Sequence, residues 1–137
     1  MTTTLDDIVR RCDAIEECYE FMLGYAAQGL PDDHDSRSGS QLRELLHRAV
    51  LAASGLTGAY AAVVQELRIE PAEQYQAFFA VLERDTANAL AAVQLVLAQP
   101  KISSQLIDNL NASMHLRALL TDIFLIDEVV KLLHASS

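Results

Sequence analysis

Glu44 and His47 stand three apart, the Glu-x-x-His spacing by which one helical turn aims a carboxylate and an imidazole at a single metal ion. A di-iron bundle needs that pair twice, with one further Glu from each of two other helices. The sequence holds no second copy, because the residues three before His115 and His134 are Ala112 and Lys131. Glu44 and His47 also fall off the apolar seam of Leu42, Leu45, Leu46 and Ala49, so they read as a wet helical face. No Cys/His cluster has zinc spacing. Met22 with Met114-His115 is the pairing that would ligate haem between facing helices. In an up-down arrangement the two heights differ by about five residues, or ~7.5 Å, and no Cys-x-x-Cys-His is present. No metal and no cofactor are expected.

Nucleophilic chemistry has as little to build on. Cys12 and Cys18 lie ~120° apart on a helix, which disfavours a bond between them and fits a reducing, cytoplasmic setting. Cys12 is expected to be an inert seam thiol. Cys18, in the anionic field of Glu17 and Glu20, is expected to react faster than Cys12, though not as an activated thiolate. Gly24, Gly29, Gly39, Gly55 and Gly58 match neither a phosphate loop nor a dinucleotide fingerprint. No catalytic residue is assigned.

The elements that would carry these residues are all helical. Leu5, Ile8, Cys12, Ile15, Tyr19, Met22 and Ala26 recur at alternating spacings of three and four, a heptad seam flanked by Val9, Leu23 and Leu30. Thr4 with Asp7 resembles a capping box. Gly29-Leu30-Pro31 ends this helix, and residues 31–39, rich in Asp and Ser, read as a polar, mobile loop. Ser38 or Ser40 is positioned to cap a second helix with the seam Leu42, Leu45, Ala49, Ala52, Leu56, Ala59 and Val63. Between Ala49 and Val64 that helix is apolar nearly all round, and Gly55 and Gly58 within it imply close packing or a kink. Pro71 opens a third helix, Pro100 closes it, and a fourth follows to about His134 with a tail of Ala-Ser-Ser. Weak helix formers at Asp108, Asn109, Asn111 and Ser113 mark a place where the fourth helix could break.

Helices over about 4–29, 40–68, 71–99 and 103–134, joined by short connections, predict one domain across residues 1–137. The expected fold is all-α: an antiparallel up-down-up-down four-helix bundle with coiled-coil-like packing. Glu16 and Asp127 sit at the edges of their seams. Each is either a rim carboxylate pairing with Lys or Arg, or a buried polar group that fixes register.

Function is bounded mainly by composition. The 137 residues are 51% hydrophobic with a net charge of −9, and the pI is about 4.7 with mean hydropathy +0.16. That charge repels phosphates and anionic lipid, so neither nucleic acid nor membrane is an expected partner. Residues 1–7 have no basic or apolar leader region, so no signal peptide is expected. A thin bundle cannot enclose so many apolar residues. The excess predicts a homodimer, with Val50, Leu51, Ala61 and Val64 as interface candidates. The expected function is a non-enzymatic protein–protein interaction module: an adaptor, assembly factor or chaperone-like protein binding a basic or apolar helical segment. The alternative is a small-molecule or cofactor binder with a cavity lined by Tyr19, Met22, Tyr60, Phe78, Phe79 and Met114.

Overall fold

In a computed structural model that describes residues 2–34 and 36–136, with side chains over 4–34 and 36–133, the chain is all-helical. Six helices stand where four were expected: α1 (Thr2–Ala27), α2 (Arg37–Ala53), α3 (Leu56–Glu66), α4 (Ala72–Leu97), α5 (Ser104–Ala112) and α6 (Met114–Ser136). The expected second and fourth helices are each divided in two. Asp35 and the side chain of His134 lie outside the described residues.

α1 buries Ile8, Cys12, Ile15, Cys18, Met22 and Tyr25, while Leu5, Tyr19 and Ala26 are half-buried. A helix of 3.6 residues per turn drifts ~20° per heptad against a 3.5-residue pattern. The drift turns Cys18 and Tyr25 inward and leaves Val9 and Leu23 in water, so the flank expected to widen the seam does not. The helix starts at Thr2, which places Thr4 inside the first turn rather than at the cap.

The break between α2 and α3 falls at Ser54-Gly55. Gly55 has φ +86°, a left-handed conformation that costs a side-chain-bearing residue energy and glycine little. The carbonyls freed by the break are taken up by one cation. Arg11 of α1 donates to the carbonyls of Leu51, Ala52 and Ser54 at 3.3, 3.0 and 2.7 Å. Asp7 steadies that guanidinium from one turn before it, at 2.9 Å. A positive charge at a helix C-terminus also complements the helix dipole. With Glu17 3.5 Å from Arg48, these contacts show α1 and α2 running in opposite senses. The kink thus accounts for Gly55, while nothing approaches Gly58 within 4 Å, so close packing does not account for it. α3 ends where Arg68 turns left-handed at φ 51°, and the Ile69 N–H reaches back to the Val64 carbonyl.

The break between α5 and α6 is a re-capping. Ser103 Oγ accepts from the Leu106 N–H at 3.0 Å, and Ser113 Oγ accepts from the Leu116 N–H at 3.3 Å. α6 then continues to Ser136, so Ala135 and Ser136 of the expected tail are helical, and Ser137 lies outside the described residues.

The connection over residues 31–39, expected as a mobile loop, is tied down. Asp33 is 7% exposed. Its carboxylate accepts the Ile102 N–H at 2.7 Å and the Arg43 guanidinium. Arg43 in turn donates to the carbonyls of Leu97 and Gln99 at 3.2 and 2.8 Å. Beside them Tyr25 donates to the Ile102 carbonyl, and Ser104 Oγ donates to the Tyr25 carbonyl, both at 2.6 Å. Gly39 passes so close that a Cβ would lie 1.9 Å from the Asp33 carbonyl oxygen. The cap of α2 is Ser36, not Ser38 or Ser40, because this anchored loop starts the helix earlier.

α1 packs on α2, α3 and α5, while α4 packs on α2, α3, α5 and α6. Tyr75 and Phe78 of α4 meet Leu125, Ile126 and Val129 of α6, whereas Ala89 and Val93 lie near Leu116 and Leu119, so these two helices also run in opposite senses.

Burial pushes the Asp33 carboxyl up, but its hydrogen bonds from Arg43 and Ile102 outweigh that and hold it below its usual value. Its contribution to stability is therefore present above the unfolded carboxylate value of ~3.9 and is lost as the pH falls through the lower folded one. Asp33→Ala should cost about 2–4 kcal/mol in urea unfolding at pH 7, since it orphans a buried N–H and part of a guanidinium. A loss under about 0.5 kcal/mol, the range of an ordinary surface substitution, would show that the knot holds nothing.

Candidate functional site

The site is the seam between α4 and α6. Tyr75 and Phe78 are one turn apart on α4, and Leu125 and Val129 one turn apart on α6. With Pro71, Gln74 and Ile126 they form an open apolar groove of about 320 Å3. Ile126 is buried and forms its floor, and Leu125 is 56% exposed on its wall. Tyr75 also lies against Phe79, ring centroids 6.4 Å apart and tilted by 52°.

Further along the same seam two carboxyls meet, Asp85 from α4 and Asp122 from α6. Asp122 is 8% exposed. Burial, then the hydrogen bond and the charge of Asp85, push its carboxyl up to about 7. Two close carboxylates cannot both ionise cheaply, which adds to burial in raising the Asp122 carboxyl. Asp122 Oδ2 and the neighbouring Thr86 hydroxyl are both buried without a hydrogen-bond partner. The α4–α6 seam thus carries an open apolar groove at one end and, further along, a buried carboxyl on α6.

The four interface candidates do not share one exposure. Leu51 (72% exposed) and Ala61 face solvent, Val50 is half-buried against the interior, and Val64 is buried. The turn at Gly55 swings α3 relative to α2, so one continuous stripe along residues 50–64 does not form. Exposed Glu44 borders a polar depression with Glu17, Glu20 and Arg48, and His47 is likewise exposed. Among the described residues no three His, Cys, Asp or Glu side chains group where a metal ion would sit.

The residues expected to line a cavity do not converge. Met22 borders a small, partly open apolar cavity of about 30 Å3, together with Ile15, Cys18, Leu46 and Val93. That is room for about one or two waters. Tyr60 is fully buried, with its hydroxyl 3.3 Å from Cys12 Sγ. Tyr19 is half-buried, Phe78 and Phe79 border different surface depressions, and Met114 is 76% exposed.

Cys18 corrects the expectation of a faster thiol. It is 2% exposed, and burial first, then the Glu17 charge, pushes it up to about 12. Cys12 is also buried, and burial pushes it up to about 11 against the opposing Tyr60 hydrogen bond. Asp127 stands at the rim of its seam, paired with Lys131 at 3.0 Å. Glu16 is half-buried, and burial followed by the charges of Asp127 and Asp13 raises its carboxyl.

Neither Asp85 nor Asp122 stands out in the sequence as a site residue. A signal was present: Asp122 lies three residues after Leu119 and four before Ile126, both core positions.

Because Asp122 binds its proton more tightly folded than unfolded, it destabilises the fold increasingly as the pH rises from ~4 towards 7. Asp122→Asn should therefore raise the melting temperature at pH 8 by more than at pH 5. Equal shifts at the two pH values in thermal unfolding would mean that Asp122 ionises like a surface carboxylate.

No helix among the described residues is long and apolar enough to cross a membrane. Compared with protein-family models, curated proteins and solved structures, the chain matches none.

Proposed function

We propose that this protein is a non-enzymatic protein–protein interaction module, of adaptor, assembly-factor or chaperone type, acting as a homodimer in the cytoplasm. The observation that carries the reading is the amount of large apolar surface on the outside. Leu51, Leu95, Met114, Phe124 and Leu125 are each more than half exposed, and the α4–α6 groove adds a contiguous apolar depression. Each Å2 left wet forgoes about 25 cal/mol, so a second chain that covers these residues gains what the fold leaves unused. Free thiols at Cys12 and Cys18 suit a reducing compartment. The six helices are read as four rods in up-down order, with α2–α3 and α5–α6 each a broken rod. The opposed senses of α1 with α2 and of α4 with α6 support that reading.

Self-association is assigned to the outer face of α2 and α3, where Leu51 and Ala61 are in water. Partner binding by a basic or apolar helix then has the rest of the acidic surface available. Light scattering should report about twice the 15.0 kDa chain mass. Leu51→Lys should yield monomer with unchanged far-ultraviolet circular dichroism. A wild-type protein that stays monomeric at high concentration would remove the homodimer from the proposal.

A further inference from the structure

We propose that the depression between α1 and α2 docks a helix of another protein through one Arg or Lys. The cationic head lies between Glu20 and Glu44, and its stem lies on Phe21 and Leu45. The inference rests on the interaction reading above and names one face of it and the partner's chemistry there.

Apolar and charged groups line this one depression together. Glu17, Glu20 and Phe21 enter it from α1, and Glu44, Leu45 and Arg48 from the antiparallel α2. Its volume is about 490 Å3. Phe21 and Leu45 are half-buried and form an apolar floor, while the four charged residues stand exposed around them. Arg48 lies 3.5 Å from Glu17 and closes one end. Gly24, one turn beyond Glu20, has open space where a Cβ would stand, so no side chain closes the other end. From Glu17 to Gly24 the helix advances about 10 Å, the length of about two turns of a partner helix.

Charge complementarity selects the occupant. The depression carries three carboxylates against one guanidinium, and that guanidinium is engaged by Glu17. Among the described residues no cation pairs with Glu20 or Glu44. The helical neighbours of Glu20 are Glu16, Glu17, Leu23 and Gly24, so α1 offers it no Lys or Arg. A purely apolar helix laid over the floor would take both carboxylates out of water with nothing in exchange. An Arg or Lys instead sets its methylenes on Phe21 and Leu45 and keeps its charged head at the carboxylate rim. A guanidinium there can also lie on the Phe21 ring. The net charge of −9 steers such a partner inward and repels an acidic one.

The probe is a blocked helical peptide of about 18 residues on an Ala/Gln background with one central Arg, long enough to hold a helix. A matched peptide carries Gln in place of the Arg. Titrated into the nitrogen-15-labelled full chain, the Arg peptide should shift the amides of residues 17–24 and 41–48 most. It should bind about tenfold tighter than the Gln peptide. Glu20→Gln combined with Glu44→Gln should weaken the Arg peptide by about tenfold. Glu83→Gln combined with Glu128→Gln makes the same change of net charge on exposed residues of α4 and α6. That second pair should leave affinity within about twofold, with circular dichroism confirming that both double variants are folded.

Each contrary result overturns the proposal. No binding of the Arg peptide would do so, as would equal binding of both peptides or amide shifts centred elsewhere. Equal weakening by the two double variants would mean only diffuse attraction to an acidic surface. A fall in molecular mass of the Glu20→Gln, Glu44→Gln variant by light scattering would give the depression to a second copy instead. A failed peptide series beside an intact dimer sinks this inference alone; failure of both sinks the interaction reading too.

Discussion

One buried carboxylate closes the end of the molecule where four helices meet. Asp33 takes the Ile102 N–H and the Arg43 guanidinium, and Arg43 takes carbonyls at the end of α4. Tyr25 and Ser104 bind the end of α1 to the start of α5 in the same cluster. A charge removed from water is tolerable only when its lone pairs are filled, and here they are. The arrangement replaces a flexible connection with a fixed joint, which sets the register of α1, α2, α4 and α5. Arg11 does the corresponding work at the Gly55 turn, from the side chain of a neighbouring helix.

Joints of this kind fix where the apolar faces go. The core takes Leu42, Leu46, Leu56, Tyr60 and Ile123 completely, and the cavity beside Met22 is only about 30 Å3. A bundle this thin has no further interior to offer, so Leu51, Phe124 and Leu125 stay outside. The same limit that makes the molecule well filled makes its surface adhesive.

Much of this was legible as periodicity. The stripes of Ile8, Cys12 and Ile15 on α1, and of Leu116, Leu119, Ile123 and Ile126 on α6, are core in the structure as in the sequence. Local chemistry also marked both breaks, through Gly55 and through the weak helix formers before Met114. What spacing alone does not reveal is partnership across the chain. Asp33 and Ile102 are 69 residues apart, so an acidic loop residue looks solvated until the fold brings an N–H to it. The carboxyl pair is hidden in the same way, since Asp85 and Asp122 gain meaning only once α4 lies against α6. Cys18 was misjudged for a different reason: the drift of the helix turns it inward, so burial, ahead of the Glu17 charge, decides its reactivity.

Where α4 lies against α6, Asp122 is buried beside Asp85, and that contact and the burial together set how tightly its carboxyl keeps a proton. Carbon-13 NMR titration of the Asp122 carboxyl follows that proton directly. The midpoint is expected at about 7 in the wild type, moving down in Asp85→Asn while staying above the ordinary ~3.9, because burial, the larger cause, remains. A wild-type midpoint already near ~3.9, unmoved by Asp85→Asn, would contradict the burial of Asp122 against Asp85.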